Sequence, residues 1–331
     1  MIELFSTCPP STGFARDSYV ERVAEVAEWS EAAGCRGILI YSDNALVDPW
    51  LLSHIIIQRT ASLCPLVAVQ PIYMHPYWVA KQVASIAHLC GRRVYLNMVA
   101  GGFVNDLEAL NDTTPHDKRY TRLVEYTTIV MRLLSSPAPL TYVGEFHSVV
   151  KLKLMPPMPE ALVPGVFVSG SSDAGLAAAR VLGATAVKYP KPADQEQFPP
   201  DDLANAGIRV GVIAREREGD AWAAARDRFP EDRKGQLTHQ LTMKVSNPAW
   251  HKELSALDDS GPEQSPCWLV PFQNYKTVCP YLVGSYRRVA EELARYITLG
   301  CRTFILDVPY SEDELHHTNV AFERALGAVG T

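Results

Sequence analysis

A turn of small polar residues separates an apolar run from an Ala-rich segment near the middle of the chain. The turn comprises Ser169, Gly170, Ser171 and Ser172, and a helix is predicted to begin at Asp173. The first turn of a helix presents N–H groups without intrahelical partners and a partial positive charge, which favour an anion such as phosphate. The same residues are also typical of an ordinary N-cap on a strand-to-helix turn. The turn is therefore a candidate phosphate site, with a simple helix cap as the alternative.

The elements around this turn follow a regular pattern, in which short apolar runs alternate with helical segments. The predicted strands are 2–6, 37–41, 66–70, 94–99, 166–169, 185–189, 208–214 and 303–308. Amphipathic helices lie between them, for example 17–34 and 287–300. Eight strands with intervening helices predict an α/β protein with a (β/α)8 TIM barrel. The alternative, a doubly wound open sheet, usually carries GxGxxG after its first strand, where this chain has STCPPSTG.

We predict one barrel domain over residues 1–331, interrupted by two insertions. Residues 136–165, after the fourth strand, predict a hairpin and a Pro-rich connection. Residues 230–281, after the seventh strand, hold few periodic segments and are a candidate lid. A lid would exclude water from a site at the mouth of the barrel.

Functional residues of such a barrel lie at the carboxyl ends of its strands. The segments at these ends are 6–8, 41–44, 70–73, 97–102, 169–172, 188–189, 209–214 and 307–310. The Ser-Gly-Ser-Ser turn is one of them and stands in front of a helix, which favours the phosphate site over the simple cap. Tyr41, Gln70 and Ala100 occupy or adjoin other strand ends and are candidate cofactor contacts.

Composition excludes several classes of partner. The formal net charge is −6 and the Lys and Arg residues are scattered, which argues against binding of nucleic acid or anionic membranes. No apolar run reaches the roughly 18 residues of a membrane span, and because residues 1–13 show no basic n-region we expect no signal peptide. The seven cysteines are odd in number without CxxC spacing, which predicts reduced thiols in a cytoplasmic protein and no metal site.

Several segments resemble the luciferase-like flavin monooxygenases, and in particular the two-component alkanesulfonate monooxygenases. They are RVYLNMVAGGFVNDLEAL, HDKRYTRLVEYTTIVMRLL, VFVSGSSDAGLAAARVLGA, IRVGVIAREREGDAW and LVGSYRRVAEELARYITLGCRTFIL. The resemblance implies a (β/α)8 barrel that takes reduced FMN from a separate NAD(P)H:flavin reductase. It implies that the chain binds O2 and oxygenates a small organic substrate through a flavin C4a-(hydro)peroxide. It also implies a homodimer or homotetramer.

The resemblance further implies how the turn binds the cofactor. Ser171 and Ser172 would hold the FMN phosphate, and Gly170 would permit its close approach. The family carries Gly-Gly-Ser-Ser here, so Ser169 replaces the first glycine.

Four more residues are assigned to the cofactor by the resemblance. Tyr120 would donate its hydroxyl to the phosphate and Arg119 would assist it. Asn97 would contact the flavin ring or its ribityl chain, and Asp106 falls where relatives carry an acidic residue near the flavin.

Five positions depart from the alkanesulfonate pattern. Cys8 and Gly211 stand where those enzymes carry His, and Leu46 where they carry Cys. Ala100 replaces a hydroxyl residue, and Pro309 replaces a Tyr. We therefore expect the residues around the flavin phosphate to be kept, namely Gly170, Ser171, Ser172, Tyr120 and Arg119, which we call the cradle. We expect the substrate to differ from a simple alkanesulfonate.

The candidate catalytic residues are Arg209, Cys8, His75 and Tyr310. Arg209 would bind a carboxylate or a peroxide anion, or alternatively form a salt bridge inside the barrel. The candidate proton donors are Cys8, Tyr41, Asp43, His75 and Tyr310, with a helix-start role as the alternative for His75.

Two other functions remain open from the sequence. The same superfamily contains F420-dependent oxidoreductases, which transfer hydride without O2. A non-catalytic flavin-binding relative is the third interpretation.

Overall fold

The computed structural model describes residues 2–101, 104–198, 206–230, 232, 265–274 and 276–330. The strands formed by these residues are β1 (Glu3–Thr7), β2 (Gly37–Ile40), β3 (Cys64–Val69), β4 (Tyr95–Val99), β5 (Leu140–Val143), β6 (Ser148–Leu152), β7 (Val166–Ser169), β8 (Thr185–Lys188), β9 (Ala206–Arg215), β10 (Cys267–Trp268), β11 (Tyr281–Ser285) and β12 (Cys301–Leu306). The helices are α1 (Arg16–Ala32), α2 (Pro49–Arg59), α3 (Pro76–Cys90), α4 (Val104–Ala109), α5 (His116–Ser135), α6 (Asp173–Leu182), α7 (Glu218–Arg228), α8 (Val270–Gln273), α9 (Tyr286–Thr298) and α10 (Glu312–Val329).

Eight parallel strands with flanking helices close into a barrel, in the order β1, β2, β3, β4, β7, β8, β9 and β12. The predicted (β/α)8 fold is therefore confirmed, and both ends of every predicted strand lie within two residues of the observed ends. β5 and β6 form a separate antiparallel hairpin, as predicted for 136–165. Most of the candidate lid at 230–281 lies outside the described residues.

The chain divides into two compact units, which are described separately below. The β2–β7 unit comprises residues 8–28 and 36–186, and the β9–β12 unit comprises residues 1–7, 29–35 and 187–331.

In the β2–β7 unit, alternate strand residues pack against the helices. Leu96 and Met98 of β4 and Val168 of β7 share one buried cluster with Val83 of α3 and Leu123 of α5. Successive side chains of a strand point to opposite faces of a sheet. The residues that alternate with these apolar ones, such as Asn97 and Ser169, therefore project from the other face of the sheet.

In the β9–β12 unit, β9 changes its partner partway along its length. Its first half pairs with β12 as far as Val210, and its second half pairs with β11 from Gly211 to Arg215. Phe304 of β12 and Leu293 of α9 belong to the apolar cluster on the helix side of these strands. The change of partner places Gly211 directly opposite Tyr281 of β11.

Three observations bear on partners and metals. No helix within the described ranges is long and apolar enough to cross a membrane. Among the same residues, no group of three or more His, Cys, Asp or Glu could hold a metal ion. All seven cysteines are free thiols, and every one except Cys90 is buried.

Candidate functional site

The turn after β7 leads directly into α6. Ser172 caps this helix, because its Oγ accepts a hydrogen bond from the Gly175 backbone N–H at 3.2 Å. Gly170 lies against Tyr120, and a Cβ at Gly170 would fall 2.4 Å from the Tyr120 hydroxyl oxygen. A residue with a side chain could not approach so closely. The predicted strand–turn–helix is therefore confirmed, and Tyr120 of α5 meets the N-terminus of α6.

The Tyr120 phenol is suited to donate a hydrogen bond at this point. Its side chain is buried. Burial raises the pKa of Tyr120, and this outweighs the opposing effects of a hydrogen bond with Ser172 and of the neighbouring Arg119 charge. The hydroxyl therefore keeps its proton and can serve an acceptor placed at the turn.

Arg119 is a buried cation without a carboxylate partner in the described part of the chain. It is 4% exposed. Its Nη1 donates to the Gly101 carbonyl oxygen at 2.9 Å, and its buried Nε has no acceptor among the described residues. Burial lowers the pKa of Arg119 from its usual value. Buried charges in proteins are normally paired or hold a ligand, so the position favours an anion.

Ser171 provides a second unsatisfied group. Its Oγ is buried and has no hydrogen-bond partner in the described residues. Buried polar atoms are nearly always bonded, so an orphan hydroxyl calls for an additional acceptor or donor. With the free N–H groups at the start of α6, the Tyr120 hydroxyl and the Arg119 charge, it forms a donor set that fits a phosphate.

Asn97 of β4 is tied to the residue that begins the turn. The Ser169 Oγ donates to the Asn97 Oδ1 at 2.8 Å. Both residues lie in neighbouring strands, with Asn97 opposite Phe167 in the register. The structure thus connects Asn97 with the Ser-Gly-Ser-Ser turn.

Asp106, in α4, lies near a second carboxyl group, that of Asp43. Burial raises the pKa of Asp106, and the charge and hydrogen bond of Asp43 raise it further. The Asn44 Nδ2 donates to the Asp106 carbonyl oxygen at 3.2 Å, and the Tyr73 hydroxyl donates to the Asn44 Oδ1 at 2.7 Å. The loops that follow β2, β3 and β4 are therefore linked, and sequence analysis missed the Asp43–Asp106 pair.

The other cofactor candidates of this unit have less distinctive surroundings. The Gln70 Nε2 donates to the Ser42 carbonyl oxygen at 3.0 Å. Ala100 is buried among the apolar residues against the helices, and Tyr41 is half-buried after β2. Their contact with a cofactor stays a prediction.

Cys8 and His75 have surroundings that bear on proton transfer. Burial raises the pKa of Cys8 to about 12, so its thiol is neutral near neutral pH. His75 caps α3, because its Nδ1 accepts from the Tyr77 backbone N–H at 3.2 Å. This is the helix-start role considered for His75, and a catalytic role of either residue stays a prediction.

Arg209 and Tyr310, the remaining catalytic candidates, belong to the β9–β12 unit. Arg209 is buried, and its Nη2 lies 3.7 Å from Asp307 Oδ1. Asp307 Oδ2 also accepts from the hydroxyls of Thr277 at 2.6 Å and Tyr281 at 2.7 Å. The interior salt bridge considered for Arg209 is therefore present. Tyr310 is exposed and its ring lies under the Arg228 guanidinium.

Tyr281 explains the glycine at position 211. A Cβ at Gly211 would lie 2.3 Å from the Tyr281 Cζ. The ring of Tyr281 therefore fills the space that a side chain at 211 would need. Sequence analysis missed Tyr281 because it assigned this residue to the insertion at 230–281, although the apolar run YLVG that Tyr281 begins was a usable signal for a strand.

Comparison with known proteins agrees with this architecture. The model of the luciferase-like monooxygenase family matches residues 4–303. The 4-(gamma-L-glutamylamino)butanoyl-BtrI acyl-carrier protein monooxygenase BtrO of Niallia circulans is 31% identical over 310 residues, which are 91% of this chain and 90% of that protein.

Two solved structures share the fold. Long-chain alkane monooxygenase (LadA) aligns with a TM-score of 0.76 and 16% identity, over 99% of this chain and 92% of its own. The oxygenating constituent of 3,6-diketocamphane monooxygenase from Pseudomonas putida, in complex with FMN, aligns with a TM-score of 0.72 and 13% identity, over 99% of each chain. The family match covers most of the sequence, and the chain therefore belongs to the luciferase-like monooxygenase family.

Proposed function

We propose that this chain is a monooxygenase that uses reduced FMN and O2 to oxygenate a small organic molecule. The observation that carries the proposal is the donor set at the N-terminus of α6. There the orphan Ser171 hydroxyl, Gly170 and the first turn of the helix lie with Tyr120, and the charge of buried Arg119 acts on the Tyr120 hydroxyl. A phosphate monoester would supply both the negative charge and the acceptor oxygens that these groups lack.

The charges around α5 support an anion at this position. Arg122 pairs with Asp112 at 2.6 Å, whereas Arg119 pairs with no carboxylate of the described residues. A bound phosphate would neutralise Arg119 and remove the cost of an unpaired buried charge.

Reduced FMN, when bound, supplies the electrons with which O2 is activated. The chain's own part is to bind and orient. Ser171, Ser172 and Tyr120 would hold the phosphate by hydrogen bonds, and Arg119 would balance its charge while keeping the Gly101 carbonyl in place. A separate NAD(P)H:flavin reductase would deliver the reduced flavin.

The substrate class to test first comes from BtrO, whose name specifies an acyl chain on a carrier protein. BtrO and this chain align over about nine-tenths of both lengths. We therefore propose an acyl group carrying an amide or amine as the first substrate class. Incorporation of labelled O2 into such a compound, dependent on reduced FMN, would establish the reaction.

The test of the cofactor site is an anaerobic titration with reduced FMN, followed by flavin absorbance. The Ser171→Ala/Ser172→Ala variant is expected to weaken binding by about 1–3 kcal/mol, since it removes hydrogen bonds to a charged group. Ser311→Ala is the matched control, because Ser311 caps α10 in the way that Ser172 caps α6. Its affinity for reduced FMN should equal that of the unmodified chain.

An unchanged dissociation constant in the double variant would overturn the phosphate assignment. Tight binding of reduced F420 with no binding of reduced FMN would instead indicate hydride transfer. Flavin binding without substrate-dependent O2 consumption would favour a non-catalytic relative.

A further inference from the structure

Asn97 and Ser169 project from the same face of two neighbouring strands. Leu96 and Met98, on either side of Asn97, pack in the cluster against the helices, and so does Val168, the neighbour of Ser169. Because strand side chains alternate, Asn97 and Ser169 project from the opposite face. Val99 pairs with Ser169 in the register, so Asn97 lies diagonally across from it.

The contact between them uses one end of the Asn97 carboxamide. The Ser169 Oγ donates to Oδ1 at 2.8 Å, and Asn97 is only 5% exposed. Within the described part of the chain, this is the hydrogen bond that the Asn97 side chain makes, and it uses Oδ1 alone. The Nδ2 group can therefore donate to a ligand.

The position of Ser169 relates this amide to the proposed cofactor. Ser169 ends β7, and Gly170, Ser171 and Ser172 follow it directly. A phosphate at the start of α6 would therefore be bound by Ser171 and Ser172, and only Gly170 separates these residues from Ser169. A glycine at 169, as in the resembling family pattern, has no hydroxyl with which to hold Asn97.

We propose that Ser169 is a positioning residue, which holds the Asn97 carboxamide so that its Nδ2 donates to the ring or ribityl part of the flavin. The proposal rests on the proposed function, because it needs a flavin with its phosphate in the cradle. It assigns the two ends of this short segment to different parts of one ligand. Ser169 acts on the uncharged part through Asn97, and Ser171 with Ser172 acts on the phosphate.

The experiment compares the affinities for FMN and riboflavin, which differ only in the phosphate. Both dissociation constants are measured for the reduced flavins under anaerobic conditions, by quenching of the protein's tryptophan fluorescence. Ser169→Ala is expected to raise both constants by the same factor, roughly three- to tenfold, as for one lost hydrogen bond. The cradle variant Ser171→Ala/Ser172→Ala should raise the constant for FMN and leave that for riboflavin unchanged.

Two further variants separate positioning from a general structural role. Ser169→Thr keeps a hydroxyl and should restore both affinities. Ser169→Ala combined with Asn97→Ala should bind no more weakly than Asn97→Ala alone, because Ser169 acts through Asn97.

Unchanged affinities in Ser169→Ala, or additive losses in the combined variant, would overturn the role of Ser169. A loss restricted to FMN would place Ser169 with the phosphate and would also overturn it. If the unmodified chain bound neither flavin, or if the cradle variant kept its preference for FMN over riboflavin, the proposed function itself would fail.

Discussion

At the scale of single residues, Arg119 and Arg122 lie on the same helix but differ in how their charges are balanced. Arg122 has a buried carboxylate at 2.6 Å, that of Asp112. Asp112 also accepts hydrogen bonds from the backbone N–H and the hydroxyl of Thr114. Among the described residues, the same stretch of α5 thus holds one cation with a carboxylate partner and one without.

Asp112 should make a measurable contribution to stability. Burial would raise its pKa, but the hydrogen bonds from Arg122 and Thr114 outweigh burial and lower the pKa to about 2. A carboxyl group with a lowered pKa stabilises the folded state above its unfolded pKa, and this contribution is lost as the pH falls towards the folded pKa. Asp112→Asn should therefore lower the free energy of unfolding by about 2 kcal/mol at pH 7.

The check is urea unfolding at several pH values. The difference between Asp112→Asn and the unmodified chain should shrink as the pH falls from about 4 to about 2. Asp17→Asn is the control, since the Asp17 carboxylate is exposed and, among the described residues, pairs only with its exposed neighbour Arg16. A pH-independent difference would contradict the assigned shift.

At the scale of elements, β9 is long because it pairs with three strands, β8, β11 and β12. Its first half completes the barrel beside β12, and its second half extends beside β11. Tyr281 of β11 is 1% exposed and lies on Gly211, with its hydroxyl bonded to Asp307. The Tyr281 side chain of β11 therefore contacts both Gly211 of β9 and Asp307, the residue after β12.

This arrangement predicts that β9 tolerates no side chain at position 211. Gly211→Ala should lower the free energy of unfolding by about 1–3 kcal/mol, because the added Cβ overlaps the Tyr281 ring. Gly219→Ala is the control, since nothing lies within 4 Å of a Cβ at that helical position. Urea unfolding should show Gly219→Ala unchanged or slightly more stable. Equal stability of the two variants would contradict the predicted overlap.

At the scale of the whole molecule, the barrel was predictable because strand and helix periods alternate regularly along the chain. The Ser171–Ser172 turn was predictable for a local reason, since the turn and the helix start are adjacent in sequence. The bond between Ser169 and Asn97 was not, because those residues are 72 positions apart. Likewise, nothing in the sequence near Gly211 indicates which side chain fills its space.

The thiols provide a test that involves the entire chain. Six of the seven cysteines are buried, and only Cys90 is partly exposed. Burial raises the pKa values of Cys8, Cys35 and Cys301 to about 12, so these thiols stay protonated. Titration with an aromatic disulfide should detect roughly one reactive thiol in the folded protein and all seven after denaturation. Cys90→Ser should remove the early reaction, and rapid labelling of several thiols in that variant would contradict the packing.

The contact between Gly211 and Tyr281 also makes the two positions interdependent. Any side chain introduced at 211 meets the ring as long as Tyr281 remains. A histidine at 211 therefore fits without overlap only together with a smaller residue at 281, and that second substitution gives up the hydrogen bond to Asp307. Redesign of this part of the barrel has to change both residues together.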